Sequence, residues 1–323
     1  MDFLLSDIHD DLASSVDTLL TKADAPAVAR AWADGDHSPA AGVFRQLADI
    51  GVFGLLVDEE HGGAGAGAVE MVVALEEIGR HALPGPIVES VAVVPILLRS
   101  ATESDALDAA ASGRLSSAAI APLSPRAADT DAAERVYVVD NGVLSLATVD
   151  DTAQSVDPTR TVSTVRAAEV IADGVDGDRA AQFGALATAA QLLGLGSTML
   201  RIASDYALSR KQFGRQIGSF QAVKHHLADV AIAIEMARPL IHGAAVGIDG
   251  GVPEGVDASR DISAAKVAAA DAAYLASRRS LQVLGAIGYT SEHDLSLYIT
   301  KTRALVSAWG TPAQHRARIL ESL

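Results

Sequence analysis

A chain of 323 residues with 49% hydrophobic composition is long enough to bury a large core and to divide into two or three domains. Its 41 acidic against 25 basic residues leave a net charge of -16, which repels phosphate backbones and anionic bilayers and so excludes nucleic acid and membrane surfaces as natural partners. With no cysteine, disulfides, thiol nucleophiles and Cys-ligated metal or iron–sulfur centres are excluded as well.

The opening MDFLLSDIHDD has neither the basic region nor the apolar stretch of a signal peptide, and no later run reads as the ~20 apolar residues of a membrane span. Cytoplasm is therefore the default compartment. Over residues 1–112 apolar positions recur at helical spacing, as in VFRQLADIGVFGLL and VEMVVALEEIGRHAL, with breaks at Gly62 to Gly67 and at Pro84 and Pro86. This predicts a small N-terminal helical domain. Over residues 113–175 the pattern shortens into β-rich runs, and Val136 to Asp140, then Asn141-Gly142, then Val143 to Leu146 predicts a tight hairpin. Over residues 176–323 long Ala- and Leu-rich helical stretches return, punctuated by Gly214 to Gly218, Gly247 to Gly255 and Gly285 to Gly288. Four such helices would bundle, which makes the expected fold class mainly α with a small β-domain.

Several motifs point nowhere. Phe53 to Val57 followed by Gly63-x-Gly65-x-x-Ala68 mimics a dinucleotide fold, but Asp58, Glu59 and Glu60 put negative charge where a pyrophosphate would sit, and no βαβ alternation follows. His225 and His226 are neighbours on a helix, about 100° apart, which suits a surface better than a metal. No GxSxG elbow presents a serine. Two features remain: a basic island of Arg210, Lys211, Arg215 and Lys224 in an acidic chain, and the Gly-rich turn Gln282 to Gly288. Each has an ordinary explanation, a solvated helix end and a C-cap. Together they could hold a phosphate-bearing ligand from two sides.

Four ordered segments resemble the acyl-CoA dehydrogenase family. Arg210-Lys-Gln-Phe-Gly214 with Ile217, Phe220-Gln221 and Leu227-Ala-Asp229 is similar to RxxFGxxIxxFQxxxHxLAD. Gln282 to Tyr289 resembles QVxGGxGF, Gly51 to Gly65 resembles GxxGLxxPEEYGGxG, and Glu292 to Tyr298 resembles EHxLxxY. The resemblance implies a helical domain, a middle β-domain and a four-helix bundle, assembled at least as dimers with FAD across the interface. It implies that Arg210, Gln212, Phe213, Gln282 and Gly285 reach the ADP part of FAD, and that the guanidinium and the open glycine backbone suit a pyrophosphate. Ala286 departs from the family's second glycine.

Three departures bear on chemistry. In YITKTRALVSAWGTPAQHR, Trp309 stands where the resemblance implies the glutamate that takes the α-proton of a thioester, and Ala313 stands where it implies a glutamine. The TEP strand and Trp-x-Thr/Ser element expected to hold the flavin ring have no counterpart in the short β region. A subgroup carries its base near the position of Gly184, where residues 181–190 contain no acid. The resemblance is therefore to the non-catalytic subunit of actinobacterial α2β2 enzymes acting on steroid side-chain thioesters. Such a subunit has no catalytic residue of its own. It shares FAD with a homologous catalytic subunit, which binds most of the acyl-CoA. Two alternatives stay open: a self-sufficient homomeric enzyme with a relocated base, Glu292 or Asp294 being nearest, and a flavin-free CoA-thioester-binding or assembly protein.

Overall fold

The computed structural model describes residues 5–251 and 258–322. The first residues of the N-terminal helical region and the Gly255 end of one Gly-rich break lie outside the described residues.

The N-terminal part is helical: α1 (Asp7–Lys22), α2 (Ala25–Ala33), α3 (Ser38–Asp49), α4 (Ala68–Arg80), α5 (Val94–Ala101) and α6 (Ser104–Ala111). The glycine stretch between α3 and α4 forms turns rather than a nucleotide loop. Gly63 is needed there because a Cβ would lie 2.0 Å from the Val57 carbonyl oxygen. The described chain has no strand before β1 (Ser116–Ile120), which removes the dinucleotide-fold reading.

The sheet is completed by β2 (Ala127–Ala128), β3 (Arg135–Asp140), β4 (Val143–Gln154) and β5 (Thr161–Ala172), in the order β1-β3-β4-β5-β2. Asn141 at φ 48° and Gly142 at φ 80° make the two-residue β3–β4 turn that the Asn-Gly pair predicts. β1 pairs with β3 in parallel, and the other pairs are antiparallel.

The C-terminal part contains three long helices, α7 (Gly177–Ser209), α8 (Gln221–Ile248) and α9 (Ala258–Leu284), then the short α10 (Leu295–Leu305) and α11 (Pro312–Glu321). The expected fourth long helix is thus a short one, because Gly285 takes φ 68° and ends α9, and a 3₁₀ helix (Gly285–Tyr289) and a turn fill the chain up to α10. α7 and α9 run in the same direction: Gly196 faces Ala273, and Ser280 donates to the Met199 carbonyl at 2.9 Å.

By length and composition α7 and α8 would each pass for a membrane span, which corrects the expectation from the sequence. The apolar stretch of α7 is 89% buried between α4, α8, α9 and α10, so its hydrophobicity serves the protein core. The α4–α7 crossing is unusually close. A Cβ on Gly194 would lie 2.0 Å from the Glu76 carbonyl oxygen, and one on Gly79 2.3 Å from that of Gln191.

Candidate functional site

Trp309 follows α10 in the left-handed region, at φ 52°, with Gly310 at φ 101° beyond it. A bulky side chain at positive φ is strained by ~1–3 kcal/mol, so surrounding contacts must hold the loop. Lys266, fully buried on α9, donates to the carbonyl oxygens of Leu305, Val306 and Gly310 at 3.4, 3.0 and 3.3 Å. Burial pushes its ammonium down to about 7, while three carbonyl acceptors match the three donors of the charged form. From α11, His315 completes the clamp with Nε2 2.9 Å from the Trp309 carbonyl oxygen and Nδ1 3.1 Å from Ser263 Oγ. Since a carbonyl only accepts, Nε2 carries the proton and Nδ1 accepts from the hydroxyl.

Burial pushes the pKa of His315 down to about 4, against the milder opposing effect of its bond to Trp309. Its neutral form therefore stabilises the fold above the unfolded value of 6.5, and this contribution is lost as pH falls from there to about 4. The shift corresponds to roughly 3 kcal/mol. Glu77 and Asp129, raised by burial to about 7 and about 6, act in the opposite sense, so the readout is a difference. The stability gap between wild type and His315→Gln in urea should narrow from pH 7 to pH 4.5; a constant gap would contradict the assignment.

The Trp309 indole is 1% exposed, and its Nε1 donates to Glu89 Oε1 at 3.0 Å. Its other side fills the groove of α7: a Cβ on Gly184 would lie 2.5 Å from the ring. Glu89 sits in a π-helical turn just before α5, 1% exposed, with Arg160 3.8 Å away. Around it lie further buried charges. Asp129 is raised to about 6 by burial, opposed chiefly by Arg160, and Asp157 meets Lys301 of α10 at 3.4 Å. Sequence reasoning missed Glu89, Asp157 and Lys301, although a lone acid in the apolar run PIVESVAVV was a visible signal.

The predicted coenzyme-binding residues lie elsewhere. Arg210 ends α7 and leads into the hairpin β6 (Lys211–Gln212) and β7 (Arg215–Gln216), whose turn holds Phe213 at φ 52° and Gly214 at φ 80°. Arg210 and Gln212 are exposed, and Phe213 is 91% exposed, with its ring edge-on to that of Phe220. Gln282 is exposed on the last turn of α9, and Gly285 has nothing within 4 Å of a Cβ position. The parallel course of α7 and α9 carries both groups to the same end of the bundle, yet among the described residues no hydrogen bond joins them. Met199 lies level with Ser280, so about 16 Å of helix separates that level from Arg210. Glu292 and Asp294 lie before the opposite end of α10 from Trp309, with Asp294 held by Arg30 at 2.7 Å. His225 and His226 sit on α8, exposed and half-buried, and the described residues contain no His/Asp/Glu group that could hold a metal.

Two family descriptions match this chain: "Acyl-CoA dehydrogenase, N-terminal domain" over residues 6–106 and "Acyl-CoA dehydrogenase, C-terminal domain" over residues 178–323. The chain is 29% identical over 313 residues to acyl-CoA dehydrogenase IpdE2 of Mycobacterium tuberculosis, covering 95% of both proteins. In structure it is similar to the ChsE4–ChsE5 complex from Mycobacterium tuberculosis, with a TM-score of 0.82, 21% identity, and coverage of 100% of this chain and 98% of that one. It is also similar to a variant of the Tcur3481–Tcur3483 steroid ACAD, with a TM-score of 0.82, 22% identity, and coverage of 98% and 97%. With both helical parts matched and the fold shared from end to end, the chain belongs to the acyl-CoA dehydrogenase family, whose members bind FAD.

Proposed function

We propose that this chain is the non-catalytic subunit of a cytoplasmic, heteromeric, FAD-dependent acyl-CoA dehydrogenase that introduces an α,β double bond into a CoA thioester, of the bulky steroid side-chain class. The observation that carries the reading is the packing of Trp309. Its indole occupies the loop where the family's glutamate is expected and lies against Gly184, the subgroup's alternative base position. An indole cannot accept the α-proton. Glu89 is sealed under it and is not offered to a substrate. The reading is supported by the ChsE4–ChsE5 and steroid ACAD neighbours, whose names describe a complex and a steroid enzyme.

In this arrangement Arg210, Gln212, Phe213, Gln282 and Gly285 hold the ADP part of FAD across the subunit interface. Their exposure suits a site that only a second chain completes. When bound, FAD supplies the acceptor for the β-hydride. This chain contributes a guanidinium for pyrophosphate and a glycine turn that permits close backbone approach. The companion supplies the base, the ring contacts and most of the acyl-CoA pocket. A docking face is at hand: Ile232, Met236 and Leu240 form an exposed stripe at i, i+4 and i+8 on α8, and Leu208 and Phe213 are exposed as well.

The test is to purify the chain alone and with a co-expressed catalytic homologue, record visible absorption and add acyl-CoA. A colourless inactive chain and a yellow, bleachable complex are expected. Bleaching by the isolated chain would instead establish a self-sufficient enzyme, and absence of colour from both preparations a flavin-free binder. Within the complex, Arg210→Ala should weaken flavin retention by roughly tenfold or more while the subunits still assemble, since a charge-assisted bond contributes ~1.5–3 kcal/mol.

A further inference from the structure

The apolar face of α2 anchors it in the core: Val28, Ala29 and Trp32 are buried, and the Trp32 indole stands edge-on to Phe44 at 6.0 Å. The last turn of α2 points Arg30 outward, over a cleft of about 560 Å³ between the end of α2, the α9–α10 connection and α10. Arg30 Nη2 donates to Asp294 Oδ1 at 2.7 Å and lies 3.5 and 3.4 Å from the carbonyl oxygens of Ser291 and Glu292. Among the described residues, these are the hydrogen bonds that tie residues 285–294 to the N-terminal helical part. One guanidinium thus gathers three acceptors from a stretch of four residues, one of them charged. A half-exposed ion pair of this kind adds little to global stability, so its effect is on where the stretch sits.

The held stretch leads back through a short series of bonds to the glycine turn. Thr290 donates to the Ile287 carbonyl oxygen from both its backbone nitrogen and its hydroxyl, at 3.2 and 2.9 Å, and His293 N donates to the Thr290 carbonyl oxygen at 3.3 Å. Gly288 is buried between the end of α9 and the start of α10, where a Cβ would lie 3.0 Å from Leu281 and 3.1 Å from Leu295. The segment is a compact spacer and not a slack loop, so a displacement at Asp294 is passed on to Gly285. We propose that Arg30 is a positioning residue for the coenzyme site: by latching residues 291–294 to α2 it holds the turn of Gln282 and Gly285 where the ADP part of FAD meets it. The inference deepens the split-site reading and rests on it. In this arrangement Asp294, one of the two acids nearest to a relocated base, is instead the anchor of the latch.

The test uses the complex with the catalytic homologue, stripped of flavin and titrated with FAD. Free FAD measured by ultrafiltration gives the apparent dissociation constant, and acyl-CoA-dependent bleaching gives the rate. Arg30→Met should raise the dissociation constant about fivefold, while the maximal rate at saturating FAD and the assembly seen by gel filtration stay those of the parent. Asp294→Asn should give a rise of similar size, and the double variant no more than either alone, since the same latch is broken in each. Arg30→Lys, which keeps the charge but not the planar fork, should restore part of the affinity. Parental FAD affinity in Arg30→Met, or additive rises in the double variant, overturns the latch. So does a loss of rate and assembly in step with the loss of affinity, which marks a residue that only supports the fold. Failure of the split-site reading has a different signature: Arg210→Ala would then keep the parental FAD affinity, whatever Arg30→Met does.

Discussion

Trp309→Glu should leave the isolated chain without dehydrogenase activity and lower its unfolding free energy by about 3–5 kcal/mol, even though it writes the family's glutamate back into the loop. The indole fills a groove shaped for it, against Gly184 on one side and Glu89 on the other, and glutamate is too small to fill it. The new carboxylate would also face a buried carboxylate that has just lost its N–H donor, with buried Asp129 and Asp157 close to the same charge cluster. The left-handed backbone at φ 52° costs the variant as much as the parent, without an indole's burial to offset it. Urea unfolding measures the loss, and acyl-CoA-dependent flavin bleaching measures the activity. A variant that is as stable as the parent and bleaches flavin by itself would end the split-site reading, because the groove would then have been a working acyl pocket with one residue missing.

Gly194→Ala should cost ~3 kcal/mol or more and lower Tm by roughly 6–10 °C, although alanine is the better helix former. Every close neighbour of the added Cβ is backbone: the Glu76 carbonyl oxygen at 2.0 Å, the Arg80 nitrogen at 2.7 Å and the Gly79 carbonyl carbon at 2.9 Å. No rotamer change can make room, so α4 and α7 must part. That would disturb Glu76, which accepts from Arg80 at 2.7 Å and from Arg238 at 2.6 and 2.7 Å and so ties α4 to α8. Gly196→Ala, two residues along the same helix, is the control. Its nearest neighbour would be the Ala273 Cα at 3.5 Å, an ordinary contact, and its stability should equal that of the parent or exceed it by up to ~1 kcal/mol. Equal losses in the two variants would show that the α4–α7 crossing is not the cause, since helix propensity alone favours alanine at both positions.

Local chemistry explains what was legible in the sequence. The Asn141-Gly142 turn, the end of α9 at Gly285 and the Phe213-Gly214 turn after Arg210 each depend on residues that tolerate or favour positive φ within a few positions, and a linear pattern carries that information. The family resemblance likewise rests on contiguous stretches. Where the pattern misled, a neighbour distant in sequence was the cause. α7 has the apolar composition of a membrane span because it is enclosed on nearly all sides by other helices.

The residue sequence by itself determined the kinds of elements, their order, the family and the absence of a glutamate at position 309, since each is a matter of which side chains follow one another. Tertiary structure alone decided what replaced that glutamate. Glu89, Gly184 and Trp309 come from a π-helical turn, a core helix and a loop far apart in the chain, and they meet only because α7 packs beneath both of the others. The same holds for Arg30 and Asp294, 264 residues apart, which pair only because α2 lies beside the start of α10. Contacts of this kind depend on how buried faces close over one another, which no local periodicity records.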